Sequence, residues 1–136
     1  MPFHHVAITT KDMQATHKFY SEVMGFDLVR VEKTTPNSRS WAKHFFYDTG
    51  NQEMLAVWEI HDSSLNKDFS TSISKGLGLP IWSNHIAFGL KDIESLKRAT
   101  RNITQHGIDL TEVDHGWCTS IYLNDPNEII VEFCVT

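Results

Sequence analysis

The chain has 136 residues, 40% hydrophobic and 21% charged, enough for one globular core. Its net charge of -5 argues against a nucleic-acid partner, and the absence of an 18-residue apolar run argues against a membrane span. Cys118 and Cys134 are too few for a disulfide framework and read as reduced thiols of a cytoplasmic protein; the start, Met1-Pro2-Phe3-His4-His5, has no signal-peptide pattern.

The first predicted element is a short apolar strand beginning at His5. A helix follows from Asp12, which suits an N-cap, with Met13, Phe19, Tyr20 and Val23 as its apolar face. Gly25 ends it. Three strands are predicted next, over about 26–34, 41–48 and 53–60, with a hairpin signal at Asp48-Thr49-Gly50-Asn51. The Ser-, Gly- and Asn-rich stretch 61–82 reads as a linker with room for one short helix over the site. The order then starts again. A strand begins at His85, and a helix follows from Asp92 with Ile93, Leu96, Ala99 and Ile103 on its apolar face. Gly107 ends that helix, and strands over about 108–114, 118–123 and 128–135 complete the chain, with a turn at Asn124-Asp125-Pro126-Asn127.

The recurrence extends to the residues themselves. His5-Val6-Ala7-Ile8-Thr9-Thr10-Lys11-Asp12-Met13 matches His85-Ile86-Ala87-Phe88-Gly89-Leu90-Lys91-Asp92-Ile93 at His, Ala, Lys and Asp. Gly25-Phe26-Asp27-Leu28 echoes Gly107-Ile108-Asp109-Leu110 after a spacing two residues shorter, a difference assigned to the second helix. The expected fold is α+β: two tandem βαβββ modules forming a curved mixed sheet, a cup with helices on its outer face. The expected division is one domain over 1–136, with module 1 at about 1–60, a linker at about 61–82 and module 2 at about 83–136.

Strand alternation sorts the polar residues. Val6 and Ile8, then Ile86 and Phe88, then Val131, Phe133 and Val135 form the apolar sets that pack on helices. The opposite face carries His5, His85 and Glu132 beside the small Ala7, Ala87 and Gly89, which leave room for a ligand. His4, by the same alternation, points away. A lone strand-start histidine is ordinarily exposed or hydrogen-bonded, and a glutamate on a terminal strand ordinarily lies at an edge; histidine at one position in both copies favours the metal reading. Two imidazoles and a carboxylate make a facial triad with open positions, suited to Fe(II) or Mn(II), while Zn(II), Ni(II) and Co(II) also accept these ligands. Aligning Asn51 with Asn127 puts Ala56 at the place of Glu132, so the first copy lacks a fourth ligand. Three ligands and an open sphere favour catalysis over a structural metal.

The repeat, the strand-start histidines and the ending from Asp125-Pro126-Asn127 to Glu132 resemble the vicinal oxygen chelate superfamily, which includes glyoxalase I, fosfomycin resistance enzymes, bleomycin-binding proteins and type I extradiol dioxygenases. Within it, Val113-Asp114-His115, five residues, Ile121-Tyr122, Asp125-Pro126 and Glu132 are similar to the extradiol signature, with Glu128 standing where that pattern has Gly or Pro. The resemblance implies that His115 and Tyr122 contact the bound substrate as catalytic residues and that Glu132 binds iron. It also implies a separate acid-base histidine, whose approximate place is taken by Glu53, Met54 or Leu55. His44, one strand earlier, shares parity with Phe46, and Trp58 with Ala56; His44, Phe46 and Trp58 are therefore the candidate substrate-pocket residues.

The resulting expectation is a metal-dependent enzyme acting on a small oxygen-bearing substrate, most like an extradiol dioxygenase. One alternative is a glyoxalase-like lyase or fosfomycin-type thiol transferase; the latter needs a thiol or other nucleophile and a cationic clamp, for which Lys43 and Arg39 are the nearest cations. The other is a non-catalytic drug-binding dimer. A homodimer is expected throughout, with each site built from one chain or shared by two.

Overall fold

The structure, a computed structural model describing residues 1–136, divides into two compact units, Met1–Thr71 and Ser72–Thr136. The stretch 61–82 is thus apportioned between the units at 71/72.

In the first unit β1 is His5–Thr10, α1 is Met13–Lys18, β2 is Asp27–Asn37, β3 is Ser40–Gly50 and β4 is Glu53–Asp62. Asp12 caps α1 by accepting from the Ala15 amide at 2.9 Å, satisfying one of the donors that a helix start leaves unpaired. The helix then continues into a π-helical turn, Phe19–Val23, closed by the Met24 amide on the Phe19 carbonyl at 3.0 Å. Gly25 follows at φ +75, a left-handed conformation that costs glycine little and releases the chain toward β2.

The sheet order is β1-β4-β3-β2, with β1 parallel to β4 and the other pairs antiparallel. Ile8, Tyr47, Leu55 and Val57 occupy one face and are buried, as are Met13, Phe19, Tyr20 and Val23 of the helical segment. Tyr20 and Tyr47 are fully buried with ring centroids 5.8 Å apart. Each contributes about 1.5–3 kcal/mol of burial, a scale set by large apolar side chains. The Tyr47 hydroxyl shares a 3.0 Å hydrogen bond with His17 Nδ1, and burial pushes its pKa up to about 12.

The second unit holds α2 (Ile73–Gly76), a 3-10 turn at Ile81–Ser83, β5 (His85–Gly89), α3 (Ile93–Gln105), β6 (Thr111–Asp114), β7 (Thr119–Asn124) and β8 (Ile130–Val135). Asp92 caps α3, accepting from the Ser95 amide at 2.8 Å. The sheet order β5-β8-β7-β6 repeats that of the first unit, again with one parallel pair. Leu96 and Ile103 are buried on α3, with Ile121, Leu123, Val131 and Phe133 buried in β7 and β8. Ile93, expected on the apolar face, is 44% exposed because it stands in the first turn, at the end of the helix.

The two-residue difference between the copies lies in the helices. Residues 13–23 are helical in the first unit and 93–105 in the second. Register also reproduces the sequence alignment: Ala7 pairs with Ala56, and Ala87 with Glu132. Strand β4 runs on to Asp62, two residues beyond the expected end, and two short helical turns occupy 73–83 where one was expected.

Candidate metal and substrate site

In the second unit, β5 and β8 pair in parallel, which sets His85 opposite Ile130 and leaves it diagonal to Glu132. The imidazole Nε2 lies 3.4 Å from Glu132 Oε2. Its Nδ1 lies 3.1 Å from the Trp82 carbonyl, an acceptor only, so Nδ1 carries the proton. When His85 is neutral, Nε2 therefore presents a lone pair to a carboxylate oxygen. A proton on either partner, or a metal ion held by both, satisfies that arrangement. A separation of 3.4 Å suits two bonds of about 2.1 Å meeting at roughly the tetrahedral angle. The donor set thus fits a divalent metal, with the ring oriented by a backbone carbonyl.

Glu132 is buried, and its second oxygen is engaged separately. Ser120, fully buried on β7, donates to Oε1 at 2.5 Å. Tyr122 pairs with Glu132 across β7 and β8, and its ring centroid lies 6.1 Å from that of His85. Burial, and after it the nearby Glu132 charge, raise the Tyr122 pKa against a hydrogen bond to Ser120 that lowers it. His115 lies just beyond β6, in a bend held by its amide donating to the Cys118 carbonyl at 2.9 Å. Its Nε2 is 2.9 Å from the Tyr122 hydroxyl. His85, Glu132, Ser120, Tyr122 and His115 are therefore linked contact by contact. Cys134 flanks the group; burial and then Glu132 raise its pKa, which keeps it a thiol.

In the first unit, His5 is exposed at the start of β1. Its Nδ1 lies 2.8 Å from His4 Nδ1, and its ring meets Phe46 edge-on with centroids 5.7 Å apart. His4 thus does not point away from His5. It precedes the strand, where alternation does not govern direction, and it is the residue that orients the His5 ring. His44 is buried on β3, stacked on Trp58 at 3.5 Å with 11° between planes, and it meets Phe46 at 4.1 Å. Register explains the grouping, since His44 pairs with Trp58 and Phe46 with Ala56. Burial lowers the His44 pKa, with Glu32 opposing and His5 adding to the effect. Its Nε2 has no hydrogen-bond partner.

Comparing registers, Phe46 occupies the position of Tyr122, and His44 that of Ser120. Ser120 and His4 were not picked out from sequence; a serine two residues before a candidate tyrosine was the available signal for the first. Lys43, considered as an anion clamp, alternates to the face opposite His44, where it pairs with Glu59 at 3.5 Å. Within neither unit do three His, Cys, Asp or Glu side chains converge as a ready ligand set. Glu128, where the extradiol pattern has Gly or Pro, stands at φ +59, a left-handed conformation that glycine adopts readily and proline's ring forbids.

A family model described as Glyoxalase/Bleomycin resistance protein/Dioxygenase superfamily matches residues 3–133. A comparison of the sequence with curated proteins found no match. Among solved structures, the fold is similar to a glyoxylase/bleomycin resistance protein/dioxygenase domain from Frankia sp. EAN1pec, with TM-score 0.71 and 16% identity over 99% of this chain and 91% of that one. It is also similar to a genomically encoded fosfomycin resistance protein from Listeria monocytogenes, with TM-score 0.66 and 19% identity over 100% and 93% of the two chains. A lactoylglutathione lyase from Agrobacterium tumefaciens gives TM-score 0.64 and 17% identity over 98% and 92%.

Proposed function

Because the chain belongs to the glyoxalase/bleomycin resistance protein/dioxygenase superfamily, we propose that it is a metal-dependent enzyme acting on a small substrate with two adjacent oxygens. On this reading His85 and Glu132 bind a divalent ion, Fe(II) or Mn(II), and His5 is the third ligand as the matching position of the repeat. The observation that carries the reading is the His85–Glu132 pair, whose 3.4 Å separation and oriented Nε2 suit two ligands of one ion. The bound ion supplies Lewis acidity, lowering the pKa of substrate oxygens and stabilising negative charge on them.

The rest is done by the chain. Ser120 holds one carboxylate oxygen of Glu132 and leaves the other for the ion. The Tyr122 hydroxyl donates to a substrate oxygen, while His115 donates through Nε2 to the Tyr122 oxygen and so can resupply a proton there. Phe46, Trp58 and His44 form an aromatic wall for a planar substrate. This relay favours ring cleavage of a catechol-type diol with dioxygen over lyase or thiol-transfer chemistry. The placement of Lys43 away from the His44 face likewise counts against a phosphonate clamp there. A homodimer is part of the proposal, with His5 drawn from the same chain or from a second copy.

The test is elemental analysis after anaerobic purification, of wild type beside Glu132→Ala. Roughly one iron or manganese per chain, lost in the variant, followed by catechol cleavage, supports the reading. Zinc or nickel at that ratio redirects it to lyase or thiol transfer, and no uptake of any metal refutes it.

A further inference from the structure

The β3–β4 hairpin and the segment after it form an open surface groove of about 370 Å³ within the first unit. Its floor is aromatic. Trp41 and His61 pair across the hairpin and stack at 3.8 Å with 6° between planes. Glu59 Oε1 pins the stack by contacting His61 Nε2 at 3.0 Å. Phe69 closes the groove from the later segment. By alternation Trp41 and His61 stand on the sheet face opposite His44 and Trp58, so this groove is separate from the wall assigned above.

The charge around it runs against that of the molecule. The whole chain carries -5, yet five of its twelve Lys and Arg residues gather here. Lys33 and Lys43 sit 5.2 and 5.6 Å from the Trp41 ring centroid, and Lys11 sits 4.4 Å from that of Phe69. Arg39 and Lys67 line the groove without an acidic partner. Two carboxylates stand near these cations. Glu59 contacts Lys43 and His61, and Asp62 accepts from the Ser64 amide and hydroxyl at 2.8 and 2.6 Å. Asp62 itself lines the groove, and those Ser64 bonds hold it in its charged form, so the lining carries two cations, Arg39 and Lys67, against one carboxylate.

The geometry points to a second small-molecule site in this groove, taking a planar aromatic anion such as an aromatic carboxylate or sulfonate. Arg39 and Lys67 bind the anionic group, with Arg39 offering a bidentate fork, while Trp41, Phe69 and Leu65 cover the ring. The volume is within the range of small-molecule pockets and admits one or two fused rings. The site does not depend on the metal reading.

The probe is 8-anilinonaphthalene-1-sulfonate, titrated into the full chain and followed by energy transfer from tryptophan. The expected result is one saturable site per chain that weakens as salt rises. The Arg39→Gln/Lys67→Gln variant, altered only at exposed positions, is expected to weaken binding at least tenfold, and Trp41→Leu, which removes the ring that covers the probe, is expected to weaken it as well. Glu132→Ala is expected to bind unchanged. The uncharged N-phenyl-1-naphthylamine is expected to bind at least tenfold more weakly. Absence of saturable binding, an unchanged affinity in the double variant, equal binding of the uncharged probe, or loss of binding in Glu132→Ala overturns the assignment; none of these bears on the metal content of the wild type.

Discussion

Ser120→Ala isolates the role of the side chain that holds the metal carboxylate. Ser120 is fully buried and donates at 2.5 Å to Glu132, itself buried, so water does not replace the lost bond. A hydrogen bond to a charged group in such a setting is worth about 1.5–3 kcal/mol. Converted at about 1.4 kcal/mol per decade, that is roughly a 10–100-fold loss of metal affinity, the range typical of partners that orient metal ligands. Deleting the hydroxyl also frees Glu132 to turn, which misplaces Oε2 relative to His85 Nε2. The assay is competition of the apo protein with a chelator of known affinity, with urea unfolding of the apo variant run in parallel to separate loss of fold. Ser120→Thr, which keeps the hydroxyl, is expected to bind metal within about threefold of wild type. If Ser120→Ala binds within about twofold while Glu132→Ala does not bind, Ser120 does not position the ligand and the argument from burial is wrong.

Three further outcomes follow from named residues. His44 has a lowered pKa in the fold, so between that value and the ordinary 6.5 the unfolded chain holds the extra proton; stability is full above the ordinary value and falls with acidification. Glu32, which opposes the shift, and His5, which adds to it, are the charged groups facing His44; urea unfolding at pH 7.5 and 5.5 is expected to show a smaller acid loss in His44→Phe, and an equal loss removes His44 as its source. Tyr47, pushed up to about 12, keeps its proton when the unfolded chain has lost it, so alkaline pH from about 10 upward destabilises the fold by up to about 2–3 kcal/mol. Tyr47→Phe is expected to flatten that alkaline limb, and an unchanged limb refutes the assignment. Glu128 stands at φ +59, and its ion pair with Lys75 is solvent-exposed and weak. Glu128→Gly is therefore expected to raise stability by about 0.5–1 kcal/mol by relief of left-handed strain, and a lower denaturant midpoint contradicts this.

Much of the architecture was readable because duplication writes the same message twice. His5 and His85, Asp12 and Asp92, and Gly25 and Gly107 each mark one structural event in both copies: a strand start, a helix cap and a helix end. The match of Ala56 to Glu132 survived as register because a strand's two-residue period turns an alignment directly into a face. The grouping of His44, Phe46 and Trp58 followed from the same period. Alternation failed at His4, which lies outside β1, where side-chain direction follows local contacts instead.

Other features were decided by neighbours distant along the chain. Alternation puts Ser120 on the face of Tyr122, but its bond to Glu132 is settled only when β7 and β8 pair and bury both. The proton position on His85 depends on the Trp82 carbonyl, a backbone group that looks alike at every residue. Arg39 and Lys67 read as scattered surface charges until the hairpin and the following segment bring them around Trp41 and Phe69. Sequence by itself determined the elements, their faces and the repeat, because these follow from periodicity and from local caps and turns. Tertiary structure alone decided which polar atoms share a proton and which cations share a groove, because those depend on distances of a few ångströms between residues that periodicity does not relate.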